Sequence, residues 1–187
     1  MKKILILLLT VTMIMTVLVS CTNTKNVVAG GKDPSNGGET GSITVGADSL
    51  KLEYNGVSIA PNAEAKPIIE ALGTPVDFTE TPSCGFEDKD RTYQYNGFII
   101  DTVVVSGVEY VYFIQLTNDT VETAEGAYIG MSTEEISGIY GSKCSVNSSG
   151  HIEVSFSGGR LSFFMKNGVC TSIAYESTSI ASLEKSE

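Results

Sequence analysis

The chain has 187 residues, with 22 Asp and Glu against 12 Lys and Arg, a formal net charge of −10, one histidine, four cysteines and no tryptophan. No cluster of Lys and Arg follows Lys3, so the basic footprint that phosphate backbones require is missing and nucleic acid is excluded as a partner. One histidine and scattered cysteines lack the close ligand spacing of a zinc site, and no nucleophile is set beside a base, so the expectation is a non-catalytic protein without a metal or cofactor.

At the start of the chain, Lys2 and Lys3 precede an uncharged, mostly apolar run from Ile4 to Val19. That run is shorter than the roughly 20 apolar residues of a membrane span and has the form of a signal peptide. Leu18-Val19-Ser20-Cys21 resembles the bacterial lipobox. The resemblance implies that residues 1–20 are removed and that Cys21 carries a diacylglyceryl group. Two acyl chains hold a protein to a membrane where one binds only marginally. The expected location is therefore the cell membrane, lipid-anchored and facing outside the cytoplasm. Removing residues 1–20 takes two lysines and no acid, so the mature charge becomes −12. Such acidity serves solubility or favours a basic partner.

From Cys21 to residue 47 the composition turns to Asn, Thr, Gly, Ser and Lys, as in Lys32-Asp33-Pro34-Ser35-Asn36-Gly37-Gly38. This is a flexible linker, and a chain of that kind reaches roughly 25 to 30 Å.

Residues 48–187 read mainly as strands. Alternation and β-branched or aromatic enrichment mark Leu52 to Tyr54, Val57 to Ile59, Arg91 to Tyr95, Phe98 to Val105 and Tyr110 to Leu116. A second group covers Cys144 to Val146, Ile152 to Phe156, Arg160 to Met165 and Val169 to Tyr175. Asn96-Gly97, Ser106-Gly107, Gly158-Gly159 and Asn167-Gly168 fall between them and suit tight hairpins. Two helices are predicted. One runs from about Asn62 to Leu72 and stops at Gly73; Pro67 must lie in its first turn, or else the helix begins only around Lys66. The other runs from Ser132 to Tyr140 and stops at Gly141, with Ser132 and Glu135 forming a capping box.

Helix, Leu-Gly or Tyr-Gly, irregular stretch and hairpins occur twice, so residues 48–122 and 123–187 read as two α/β repeats. Each is too small to bury much surface alone. The expected fold is α+β: tandem helix-plus-antiparallel-meander repeats forming one continuous antiparallel sheet, with the helices on one face and the other face open.

Ala124 to Ser132, followed by Glu135-Ile136 and Tyr140-Gly141, resembles the Gly-Met-Ser opening of each repeat in proteins similar to the β-lactamase inhibitory protein and in small outer-membrane-assembly lipoproteins of related fold. Leu161 to Phe164 and Val169 to Ile173 are similar to the closing hairpin of that repeat. Ser83-Cys84-Gly85-Phe86 ahead of Tyr93-Gln94-Tyr95 resembles a group of uncharacterised Gram-positive lipoproteins. The first repeat departs from the pattern, with Val57 to Asn62 in place of Gly-Met-Ser. The resemblance implies the fold and an envelope location, and it does not bring lactamase inhibition with it.

The favoured function is a binding module for another envelope or extracellular protein. Its open sheet face would carry Tyr93, Tyr95, Tyr110, Tyr112, Phe156 and Phe163, with Phe113 a further candidate, because aromatics anchor interfaces. Alternation lets only about half of them face outward. A structural or assembly lipoprotein is the alternative, and a surface hydrolase a weaker one. His151 reads as a turn residue, Cys84 with His151 as a remote thiolate pair, and Glu87-Asp88-Lys89-Asp90 as a solvated loop. Cys144 and Cys170 are expected three strands apart and unpaired, and the three cysteines after Cys21 are expected to be mostly buried thiols.

Overall fold

In a computed structural model, residues 50–180 are described. The signal segment, Cys21 and the linker lie outside the described residues.

The chain opens with a hairpin of β1 (Leu52–Tyr54) and β2 (Val57–Ile59), followed by helix α1 (Ala65–Leu72). Strands β3 (Asp77–Pro82), β4 (Lys89–Tyr95), β5 (Phe98–Val105) and β6 (Val108–Leu116) complete the first repeat. The second repeat has α2 (Thr133–Tyr140), one turn of 3-10 helix at Gly141–Lys143, and strands β7 (Cys144–Val146), β8 (Ile152–Phe156), β9 (Gly159–Lys166) and β10 (Val169–Ser177).

Strands β3 to β10 form one eight-stranded antiparallel sheet in the order β3-β4-β5-β6-β10-β9-β8-β7. The repeats join where β6 pairs with β10, with Leu116 opposite Ile173 and Ile114 opposite Tyr175. Register shows which side chains share a face. Phe98, Ile100, Ile114, Leu116, Leu161, Phe163, Ile173 and Tyr175 point the same way and are all buried. Ala65 and Ile68 of α1, Ile136 and Tyr140 of α2, and Leu52 and Ile59 of the first hairpin pack on them in a single cluster. Both helices thus cover one face. Fully burying each large apolar side chain contributes about 1.5 to 3 kcal/mol, which is what holds two undersized units together.

The repeats match in detail. Asn62 donates its amide to Val111 of β6 (2.8 Å), and Val111 donates to Ala63 (2.9 Å). In the second repeat Gly130 donates to Cys170 of β10 (2.9 Å), and Cys170 donates to Met131 (2.8 Å). Asn62 and Gly130 both have positive φ, 71° and 112°. Asn62 therefore does in the first repeat what Gly130 does in the second, since asparagine tolerates the left-handed region better than most residues. An extra residue follows each pairing point, Tyr112 in β6 and Thr171 in β10, as a β-bulge.

Three expectations are settled or corrected. Helix α1 begins at Ala65, next to the later of its two expected starts, and Asn62 is held outside it by its positive φ and its bond to Val111; Pro67 lies in the first turn. Strand β3 was not anticipated. Each of its residues is exposed at the sheet edge, so no apolar alternation marks it. The face away from the helices is not open throughout, because Ile180 and Phe86 pack over Val103, Val105, Tyr110 and Tyr112 at the β5–β6 end.

Cys84, Cys144 and Cys170 are all free thiols. Strands β8 and β9 separate Cys144 on β7 from Cys170 on β10, as the meander implied. Cys170 is buried and Cys144 partly so, while Cys84 is exposed and departs from the expectation of buried thiols.

Candidate binding site

The six predicted aromatic anchors are dispersed. Tyr95, on the helix-covered face, is buried and stacks on Phe98 with centroids 5.2 Å apart. Phe163 is fully buried against the Tyr140 ring, 5.3 Å away. Phe156 lies on the same face, where its ring occupies the space a Cβ on Gly159 would need, only 2.4 Å from that position. Tyr93 also faces the helices. Its hydroxyl donates to Glu109 (3.0 Å), and burial, followed by the Glu109 charge, pushes its phenol up to about 12.

Tyr110 and Tyr112 do lie away from the helices. The bulge at Tyr112 reverses the alternation, turning Val111 to the helix face and Tyr110 to the other. Tyr110 is buried under Ile180, and Tyr112 is half-buried, edge-on to Phe86 at 5.7 Å. The exposed aromatic platform is therefore absent among the described residues. Buried rings cannot meet a partner without unfolding, so Tyr95, Tyr110 and Phe163 are core residues.

What the helix-free face presents is mostly polar. Thr79, Thr92, Gln94, Gln115, Ser162 and Ser172 share it by register. Gln115 donates to Ser172 (3.1 Å), and Arg160 is held between Glu176 (2.5 Å) and Glu153 (3.8 Å). Phe113 and Phe164 are its partly exposed rings.

At one end of this face is a cavity of about 290 Å³ lined by Phe86, Asp90, Thr92, Asp101, Thr102, Val103 and Tyr112. The Thr92 hydroxyl donates to Asp101 (2.6 Å). Burial raises the Asp101 carboxyl above its ordinary pKa, the Thr92 bond opposes that shift, and the charge of Asp90 adds to it. Asp90 Oδ1 is closed off from solvent and has no hydrogen-bond partner. The loop that supplies Phe86 is tied by Ser83, whose Oγ accepts from the Phe86 amide (2.9 Å). The sequence carries a signal for this site, since Asp101 interrupts the apolar run Phe98 to Val105.

A second cleft, about 420 Å³, lies on the helix side between Glu64, Lys66, Ile69 and Glu70 of α1 and its approach and Gly107, Val108 and Glu109 of the β5–β6 hairpin, with Tyr93 beside it. Of its charged lining residues, Glu109 is matched by Arg91. Arg91 reaches Glu80 (3.0 Å), Asp88 (3.0 Å) and Glu109 (3.7 Å), and Lys89 also pairs with Glu80. The segment Glu87 to Asp90 is thus partly spent on ion pairs.

His151 accepts the Met165 amide at Nδ1 (3.1 Å) and lies against Phe164. It sits by β8, while Cys84 lies in the β3–β4 connection, so opposite ends of the sheet hold the two. Among the described residues no three His, Cys, Asp or Glu are grouped to hold a metal ion, and no helix is long and apolar enough to cross a membrane.

No protein-family model and no curated protein matches the chain. Among solved structures it is similar to an extracellular protein containing a SCP domain from Bacillus anthracis, with 12% identity and a TM-score of 0.47 over 82% of this chain. The chain spans about half of that protein, 52% of its length. It is also similar to the uncharacterized protein yfeY from Escherichia coli, with 10% identity and a TM-score of 0.38, covering 69% of this chain and 96% of that one.

Proposed function

We propose that the chain is a membrane-anchored extracytoplasmic lipoprotein of the β-lactamase inhibitory protein-like fold group, tethered through a diacylglyceryl group on Cys21, and that its folded region is a non-catalytic module for binding another envelope or extracellular protein. The contact surface is the helix-free face of the sheet and its acidic end, in place of the aromatic platform that the sequence suggested. The observation that carries the reading is the polar face itself. It is spread over eight strands backed by the core, and it ends in Asp90 and Asp101, which have no ion pair among the described residues. A surface of that kind suits a partly polar, wet interface with a basic partner.

The test is cross-linking of the tethered protein on intact cells, followed by identification of what is recovered. A specific protein partner is expected, lost when Ser172 and Gln115 are replaced by arginine and kept when exposed Glu70 on the helix side is replaced. Recovery that is indifferent to the sheet face would overturn the choice of surface. Cys21→Ser is expected to release the chain from the membrane or leave it unprocessed; unchanged retention would count against the anchor.

A further inference from the structure

We infer that the cavity between Phe86, Tyr112, Asp90 and Asp101 is a receptor for the cationic side chain, lysine or arginine, of a protein partner; this rests on the binding-module reading above and names what that surface takes. Two carboxylates share the cavity. Only Thr92 donates to Asp101, and Asp90 Oδ1 is buried without any donor. A buried, unpaired carboxylate oxygen is costly, and native structures rarely keep one without a reason.

The chain's own cations do not relieve it. Lys89 and Arg91 flank Asp90 in sequence, but strand alternation turns both to the helix face, where Glu80, Asp88 and Glu109 hold them. Arg160 is on the correct face but three strands from Asp101, between Glu153 and Glu176. Neither Asp90 nor Asp101 has an ion pair among the described residues.

The lining chooses between kinds of cation. A hard metal ion takes about six to eight oxygen ligands and no apolar wall, whereas this cavity is lined by two carboxylates, two threonines, a valine and two aromatic rings. Rings beside carboxylates suit an organic cation: the ring quadrupoles attract it, the ring faces take its methylene stem, and the carboxylates accept its N–H groups. The cavity, about 290 Å³, is near the lower end of ligand sites and admits one side chain. The net charge of −10 favours the approach of such a partner.

The full chain, labelled for amide NMR, can be titrated with N-acetyl-lysine methylamide, its arginine counterpart and N-acetyl-norleucine methylamide, which keeps the stem and lacks the charge. Saturable shifts at Phe86, Thr92, Asp101 and Tyr112 are expected with lysine or arginine. Binding should be about tenfold or more weaker for norleucine, and likewise in Asp101→Asn and Asp90→Asn, from the loss of a charged hydrogen bond. A melt that shows the native fold in both variants together with lost binding separates recognition from folding. Equal shifts with norleucine, no saturable shift, or the same shifts from calcium alone would each overturn the assignment. Capture of a partner on cells that survives Asp101→Asn would remove the cavity and leave the binding module standing. Saturation by the lysine probe with no partner captured would do the reverse.

Discussion

Asn62 holds a left-handed backbone and spends its whole side chain on the second repeat. Its Oδ1 accepts from Ser177 (2.5 Å) and Ser179 (2.8 Å), and its Nδ2 donates to the Gly158 carbonyl (2.9 Å). Asn62→Ala removes these bonds, one of them to buried Ser177, and adds backbone strain, so it should cost about 2 to 4 kcal/mol in urea unfolding; a loss below about 0.5 kcal/mol would show that the network is replaceable. Asp101 gives a pH-dependent prediction. Its folded pKa is raised, so the folded state binds the proton more tightly than the unfolded state does. Its contribution is most favourable below the unfolded value of about 3.9 and declines as pH rises through the folded value. Asp101→Asn should therefore gain stability relative to the parent between about pH 3.5 and pH 7, read as the difference between two denaturation series. A constant difference would mean that the carboxyl is not perturbed. Neither residue stood out in the sequence by type. Asn62 read as the start of a helix, and only the comparison with Gly130, its counterpart in the second repeat, explains why the chain turns there.

At the scale of elements, helix α2 shows what local chemistry can specify. Ser132 Oγ accepts from the Glu135 amide (3.3 Å), and the Glu135 carboxylate accepts from the Ser132 amide (2.8 Å) and the Ser132 hydroxyl (2.8 Å), two bonds that hold the Glu135 carboxyl below its usual range. Ser132→Ala should cost about 1 kcal/mol by equilibrium unfolding, because an eight-residue helix has few other ways to satisfy its first amides; no loss would mean that packing of Ile136 and Tyr140 alone sets the helix. Capping boxes, glycine stops and Gly-containing turns are encoded within a few residues, which is why both helices and most hairpins were legible. Strand β3 was not. Its pairing is decided by β4, and an edge strand exposed along its length needs no periodic pattern of its own.

For the molecule as a whole, the seam between β6 and β10 decides whether there is one cooperative unit or two weak ones. Tyr175 is fully buried at that seam, opposite Ile114 and Leu161, with its hydroxyl donating to the Lys51 carbonyl (3.3 Å). Tyr175→Ala should cost about 3 to 5 kcal/mol and lower the stability of both repeats together, as probes in β4 and β8 would report; loss confined to the second repeat would show that the seam does not couple them. The continuous sheet and its one-sided helices could be anticipated from the tandem pattern, since two small units with complementary apolar faces have few other ways to bury them. The location of the aromatics could not. Alternation says which residues share a face, without saying which face the helices will cover, and the bulge at Tyr112 then moves Tyr110 across the sheet.

Strand order also bears on how the chain is completed. Strand β6 ends at Leu116, yet the neighbour that closes it against the second repeat is β10, which ends at Ser177. A polypeptide emerging from its N-terminus therefore carries an unsatisfied, apolar edge through the whole synthesis of the second repeat, and bare edges of that sort invite mispairing with other chains. Closure of the sheet is accordingly expected to wait for the arrival of β10. Fragments ending before it should be insoluble or quickly degraded, so that only finished molecules accumulate.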